Sequence, residues 1–346
     1  MSDVAVPCQY DDIEGVLSPS QNNIIIGHEK VRHFLAQMCR EERLHHALLF
    51  EGERGIGKTT LAFHLAWNLL TNQKSEFLQP DSNSLIWHQI MQGCHPNVLH
   101  VSRCFDLKTK KFKTSITIDE IRNITHFLNQ TSRDGGWRIV IIDSADDMNK
   151  NAANAILKTL EEPPKKTLFI IITHCSRKIL PTIRSRCQQV FLQPLCNNEM
   201  RQAISHVFSN NLLMDEKTIE SIIQKSHGSL RKTALLICYD GLEIIQTIEK
   251  LLEQKVYNPA IVQSFAQKLS SFDTNIQFQQ FCDEILNIIQ KKAVVLAENG
   301  NLILSKKYAQ IWQDINKEIS EIQLFNLDKR QFIINLLFKV HKYIHK

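Results

Sequence analysis

The chain has 346 residues, 43% of them hydrophobic and 22% charged, with a formal net charge of +5. That is enough chain for about two or three domains, and the composition excludes a disordered or fibrous protein. No apolar run approaches the roughly 20 residues that span a bilayer, and the spread of basic residues gives no electrostatic argument for autonomous nucleic-acid binding. Nine cysteines form no C-x-x-C pair, so reduced thiols in a cytoplasmic protein are expected.

Residues 1–21 carry Asp11, Asp12, Glu14 and Pro19, and no Lys or Arg precedes Lys30. A short acidic tail, disordered, is expected there. A helix is expected from Ile24-Ile25-Ile26-Gly27, with Val31, Phe34, Leu35 and Met38 on one face. Arg43-Leu44-His45-His46 then leads into Ala47-Leu48-Leu49-Phe50, an apolar run of strand character. Adjacent histidines do not share a helix face and no third ligand is near, so structural use or contact with a nucleotide base is expected rather than metal binding.

Gly52, four residues, then Gly57-Lys58-Thr59 match the pattern of a phosphate-binding loop, G-x-x-x-x-G-K-[ST]. The glycines (Gly52, Gly55, Gly57) let the backbone wrap so that its N–H groups and the following helix N-terminus face an anion. Lys58 would reach the outer phosphates, the Thr59 hydroxyl would sit on Mg²⁺, and Thr60 follows at the start of the helix. That helix is read from Leu61, Ala62, Leu65, Ala66 and Leu69 on one face.

Beyond a polar stretch over 71–84, Trp87, Ile90 and Met91 indicate a short helix, and Asn97–Val101 a second strand. Lys108, Lys110, Lys111 and Lys113 form a basic loop around Phe112 that could touch phosphates, although such a run is more often a solvated turn. An amphipathic helix opens at Ile118. The continuous apolar run Arg138–Ile142 ends in Asp143, as suits a parallel strand buried on both faces with an acid at its carboxyl end. An acid there is placed to orient Mg²⁺. A helix through Ala152, Ile156 and Leu160 stops at Glu161-Glu162-Pro163-Pro164. Leu168–Thr173 and Val190–Leu192 complete the strands, so a parallel α/β sheet is expected. From Asn197 onward the pattern is helical, with long amphipathic segments at 276–296, 304–319 and 332–344.

Several motifs stand together in order: Arg43-Leu44-His45-His46-Ala47, the phosphate loop, Asn154-Ala155-Ile156-Leu157-Lys158-Thr159-Leu160-Glu161-Glu162-Pro163-Pro164, Ser185-Arg186-Cys187 and Gly228-Ser229-Leu230-Arg231. In these the chain resembles the delta-prime subunits of bacterial DNA polymerase III clamp loaders, members of the AAA+ family. The resemblance implies an AAA+ phosphate-loop core over 22–194, a small helical lid over 195–240 and an all-helical oligomerisation collar over 241–346. It implies that Arg186 is an arginine finger acting in trans on a neighbouring subunit's ATP, a role that suits a permanently charged planar fork. Thr173 resembles the sensor-1 residue near the outer phosphate, and Arg231 the sensor-2 arginine. ATP and Mg²⁺ (on Thr59 and Asp143) would be the cofactors. The implied partners are clamp-loader motor subunits and a delta subunit in a ring, a sliding clamp, and primed DNA through the assembly, with no membrane.

Two departures qualify the resemblance. Motor subunits follow the strand-end aspartate with a glutamate that polarises water, whereas Asp143 is followed by Ser144, whose hydroxyl is no carboxylate base. Asp146 and Asp147 lie further along and are expected to point elsewhere. The four-cysteine zinc module of many clamp-loader subunits is absent: only Cys94 and, just beyond, Cys104 stand in that interval, so no zinc is expected. The expectation is therefore a non-motor subunit, with an ATP-hydrolysing motor as the alternative; own hydrolysis is left open. A small-molecule phosphotransferase would have no use for the helical carboxyl-terminal half.

Overall fold

The computed structural model describes residues 9–72, 76–106, 108–109, 111–129, 136–208, 215–270, 275–325 and 327–345. They fall into two compact units that divide between Ala234 and Leu235, slightly before the expected start of the collar.

The first unit runs α1 (Glu29–Arg40), β1 (Ala47–Glu51), α2 (Lys58–Leu70), α3 (Leu85–Met91), β2 (Val98–Val101), β3 (Phe105–Asp106), β4 (Lys111–Phe112), α4 (Ile118–Asn129) and β5 (Arg138–Ile142). It continues with α5 (Lys150–Ala155), α6 (Leu157–Glu161), β6 (Thr167–Thr173), α7 (Pro181–Arg184), β7 (Gln188–Phe191), α8 (Asn197–Val207), α9 (Glu216–Ser226) and α10 (Leu230–Cys238), the last crossing the division.

Five strands form one parallel sheet in the order β2-β5-β6-β1-β7. Every residue of β1, β5 and β6 is buried, as continuous apolar runs require when helices cover both faces. Alternation along the strands divides the core in two. Leu48, Phe50, Ile139, Ile141, Ile170 and Ile172 pack with α1, α2 and α3, while Leu49, Val140, Ile142, Phe169 and Ile171 pack with α4, α5 and α6. The register pairs Glu51 with Thr173 and Ile142 with Ile171. The phosphate loop after β1, Asp143 after β5 and Thr173 at the end of β6 therefore meet at one sheet edge.

Three local expectations are corrected. The first helix starts at Glu29, not at the isoleucine run, because Gly27 (φ +74°) and His28 (φ +56°) are both left-handed and cannot continue a right-handed helix. The helix expected through Ala152–Leu160 is two short ones meeting at Ile156, and it stops where Glu162 (φ −125°, ψ 68°) is turned out of helical geometry before Pro163. The basic stretch includes a small antiparallel hairpin, β3 with β4, in which Phe112 packs edge-on against Phe105 and Tyr10. Lys113 there pairs with Glu120 at 2.8 Å, and Lys110 lies outside the described residues.

The acidic tail is a fourth correction. From Gln9 onward it lies against the core: Ile13, Ser18 and Ser20 are buried, Gln9 Nε2 donates to Ser20 Oγ, and the Asn22 carbonyl accepts from His64 Nε2 at 2.8 Å. Asp11 pairs with Arg54, 43 residues on, a partner that local composition does not show.

The second unit contains α11 (Gly241–Glu253), α12 (Pro259–Leu269), α13 (Asn275–Glu298), α14 (Leu302–Phe325) and α15 (Lys329–Ile344). The long amphipathic segments are all helical, and they bury Phe281, Ile285, Ile315, Ile333 and Leu336 in a core of their own. Among the described residues no helix is long and apolar enough to cross a membrane.

His64, in α2, is fully buried with its ring edge-on to Trp87, and burial holds its imidazole down to about 4. The unfolded chain takes up a proton near the ordinary 6.5 that the folded chain refuses until about 4. Stability is therefore lost as pH falls through that window, by up to about 3 kcal/mol from this group. Urea unfolding across pH 4–7 should show a shallower acid limb for His64→Gln than for the parent chain.

Candidate nucleotide site

The loop between β1 and α2 is shaped by glycine. Gly52, Gly55 and Gly57 have φ of +157°, +81° and +103°. The last two lie in a region that side-chain-bearing residues avoid. At Gly52 a Cβ would stand 2.5 Å from the Leu192 carbonyl oxygen. At Gly55 it would collide with the Arg231 Cβ and with Ser229 Oγ. Ser229 Oγ donates to the Arg54 carbonyl at 2.8 Å and Arg231 N donates to the Gly55 carbonyl at 3.2 Å. Across the loop, His28 Nε2 donates to the Ile56 carbonyl at 2.7 Å. The loop is thus clamped between α1 and the start of α10.

Lys58 is buried, and its ammonium donates to the Gly52 and Glu53 carbonyls. Desolvation brings its pKa down to about 8, with Asp143 and Asp146 opposing the fall. Thr59 Oγ1 donates to Asp143 Oδ2 at 2.7 Å, and burial lifts the Asp143 carboxyl to about 6. A hydroxyl and a carboxylate oxygen held together beside a helix N-terminus are the oxygen donors Mg²⁺ prefers, and a partly uncompensated buried acid is stabilised by a cation. The residues present therefore fit an Mg²⁺–nucleotide pair. Thr60, also buried, follows in α2. A cavity of about 460 Å³ opens beside the loop, bordered by Ile13, Lys58, Thr59, Phe208, Leu230 and Arg231.

The structure brings Gly52, Gly55, Gly57, Lys58, Thr59, Thr60, Asp143, Thr173 and Arg231 to one end of the sheet. Arg186 is apart, after α7, where it is partly exposed and pairs with Glu161 at 2.5 Å while donating to the Thr182 carbonyl at 2.8 Å. The paired histidines are structural: His45 Nδ1 is 2.9 Å from the Ala47 carbonyl and His46 Nε2 is 3.0 Å from that of Leu160.

Ser144 is buried and donates to Asp147 Oδ2 at 3.3 Å. Asp147 is in turn ion-paired with Arg103. Asp146 accepts from Thr173 Oγ1 (3.0 Å) and from the backbone N–H groups of His174 (2.6 Å) and Cys175 (3.2 Å). Both acids beyond Asp143 are thereby committed to the protein's own groups. His174, driven down to about 3 by burial and nearby cations, borders the cavity as a neutral imidazole.

Sequence reasoning missed five participants: Asp11, Arg54, Asp146, His174 and Ser229. Ser229 sat inside a motif already singled out, and Arg54 inside the phosphate loop itself. Asp11 and Asp146 gave no local signal, because their partners lie far along the chain. Among the described residues no group of three or more His, Cys, Asp or Glu is arranged to hold a metal ion, and Cys94 and Cys104 are exposed.

A family model described as DNA polymerase III, delta subunit, matches residues 27–196. The chain is 30% identical over 299 residues to the DNA polymerase III subunit delta' of Pseudomonas aeruginosa, covering 84% of this chain and 86% of that protein. It is 31% identical over 219 residues to the delta' subunit of Escherichia coli, covering 62% and 61%. It is 25% identical over 334 residues to a gamma subunit of Buchnera aphidicola, covering 89% and 85%.

Gly55 and Gly15 have nearly the same left-handed φ, +81° and +79°, but a Cβ at Gly15 would meet nothing within 4 Å. Gly15→Ala should cost roughly the 1–2 kcal/mol of the backbone alone. Gly55→Ala should cost on the order of 2 kcal/mol more, from overpacking against Arg231. Urea unfolding of the two variants measures the difference, and titration with Mg·ADP should find binding lost only in Gly55→Ala.

Proposed function

The chain belongs to the family of DNA polymerase III delta-prime clamp-loader subunits, and from that premise we propose that it is a cytoplasmic, non-motor subunit of such a loader. It joins motor subunits and a delta subunit in a ring through its helical carboxyl-terminal part. The ring opens a sliding clamp and places it on primed DNA. The loop binds ATP or ADP with Mg²⁺, and this chain's own part in hydrolysis is made in trans, through Arg186.

The observation that carries this reading is the company of Asp143. Its neighbour is a serine whose hydroxyl is spent on Asp147, and the next two acids are spent on Arg103 and on the turn after Thr173. Among the acids that follow Asp143, a water facing an outer phosphate would find no uncommitted carboxylate to act as base. When bound, Mg²⁺ would neutralise phosphate charge, with Thr59 and Asp143 as the residues that would hold it. The intact loop is what favours the alternative, a motor hydrolysing ATP itself; the occupied acids speak against it.

Arg186 suits a finger. It is tethered at a surface by the Glu161 carboxylate, the Thr182 carbonyl and, at 3.4 Å, the Ser185 hydroxyl, contacts exchangeable for phosphate oxygens at little cost in an exposed pair. In the reconstituted loader, Arg186→Ala should leave assembly intact and slow DNA-dependent ATP turnover by roughly a hundredfold or more at the site it serves. Turnover equal to that of the unsubstituted complex would remove the finger assignment.

A further inference from the structure

Asp11 reaches into the nucleotide site from the amino-terminal segment. Its carboxylate is held in a fork by Arg54, through Nε to Oδ2 at 3.2 Å and Nη2 to Oδ1. Arg231 donates to the Asp11 carbonyl, and its guanidinium stands 3.7 Å from Asp11 Oδ1. The neighbouring Tyr10 ring lies under Arg103, with the guanidinium carbon 4.2 Å from the ring centroid. Asp11 is also close enough to Asp143 to add to the rise that burial gives that acid. It borders the cavity together with Lys58, Thr59 and His174.

A carboxylate in a fork with one arginine and beside a second occupies the arrangement a terminal phosphate takes. Lys58, by contrast, is engaged by loop carbonyls and not by Asp11. The loop's glycine-lined cradle and the two outlying arginines are thus differently committed: the arginines already have their anion.

We propose that the Asp11 carboxylate stands in for the outermost phosphate, so that this site favours a nucleoside diphosphate over a triphosphate. The inference rests on the reading of the loop as a nucleotide site. A diphosphate fills the cradle, Lys58 and Thr59 while the Asp11–Arg54–Arg231 cluster stays closed. A triphosphate brings further negative charge against Asp11, or must break its bonds to both arginines before using them. Like charges brought together across a recognition site are costly, and that cost falls on the triphosphate alone.

The test is calorimetric titration of the full chain with Mg·ADP and with a non-hydrolysable Mg·ATP analogue, for the parent, Asp11→Asn and Asp11→Ser. Thermal melts of the nucleotide-free proteins verify folding. The parent should bind the diphosphate about tenfold or more tightly than the triphosphate analogue, and both variants should bind the analogue at least about tenfold more tightly than the parent, with diphosphate affinity little changed. Three results would overturn the inference: no diphosphate preference in the parent, a ratio unmoved by either variant, or weaker triphosphate binding in the variants, which would make Asp11 a cation ligand instead. Any of these leaves the nucleotide site standing. Binding of neither nucleotide to any of the three proteins would overturn both this inference and the nucleotide reading, while the clamp-loader role is judged separately by assembly.

Discussion

Gly55 has no room for a side chain, and much of the amino-terminal unit depends on that. Its backbone presses on Ser229 and Arg231 at the start of α10, and hydrogen bonds from Ser229 Oγ and Arg231 N hold the loop from the far side. Because the sheet is parallel and β1 lies between β6 and β7, the loop leaves the sheet beside Asp143 and Thr173. One close approach thus joins the phosphate loop to Arg231, beside the acid that would orient Mg²⁺. Binding chemistry here is a property of packing before it is a property of charge.

The same packing explains what the site lacks. A buried carboxylate is expensive unless hydrogen-bonded or ion-paired, and the acids that follow Asp143 are paired within the protein. Asp146 braces the turn after Thr173 and Asp147 anchors Arg103. In the proposed reading, their commitment leaves a site that would grip a nucleotide without activating water. Arg186 keeps its charge at a surface, tied to Glu161 by a bond that exposure makes weak. In the proposed reading, nucleotide binding here and a finger acting in trans are compatible in one chain for that reason.

Much of this was legible in the sequence because it is periodic or punctuated. The parallel strands announced themselves as unbroken apolar runs, and α13, α14 and α15 as long amphipathic segments. The phosphate loop was named by its glycines and lysine. What stayed hidden was long-range. Asp11 looked like part of a solvated acidic tail because Arg54 is 43 residues on and Arg231 is 220. Asp146 looked idle because its partners sit past another strand. The start of α1 was misplaced because an isoleucine run was weighed above the left-handed turn at Gly27 and His28.

The central claim is that this chain holds nucleotide without consuming it. The most direct measurement is ATP turnover by the purified, unassembled chain beside Lys58→Ala, with Mg²⁺ present and nucleotide binding followed in the same samples. The account predicts Lys58-dependent binding and turnover no greater than that of Lys58→Ala. Turnover in the parent that disappears in Lys58→Ala would contradict it, and would mean that a group other than the one missing at Ser144 activates water at this site.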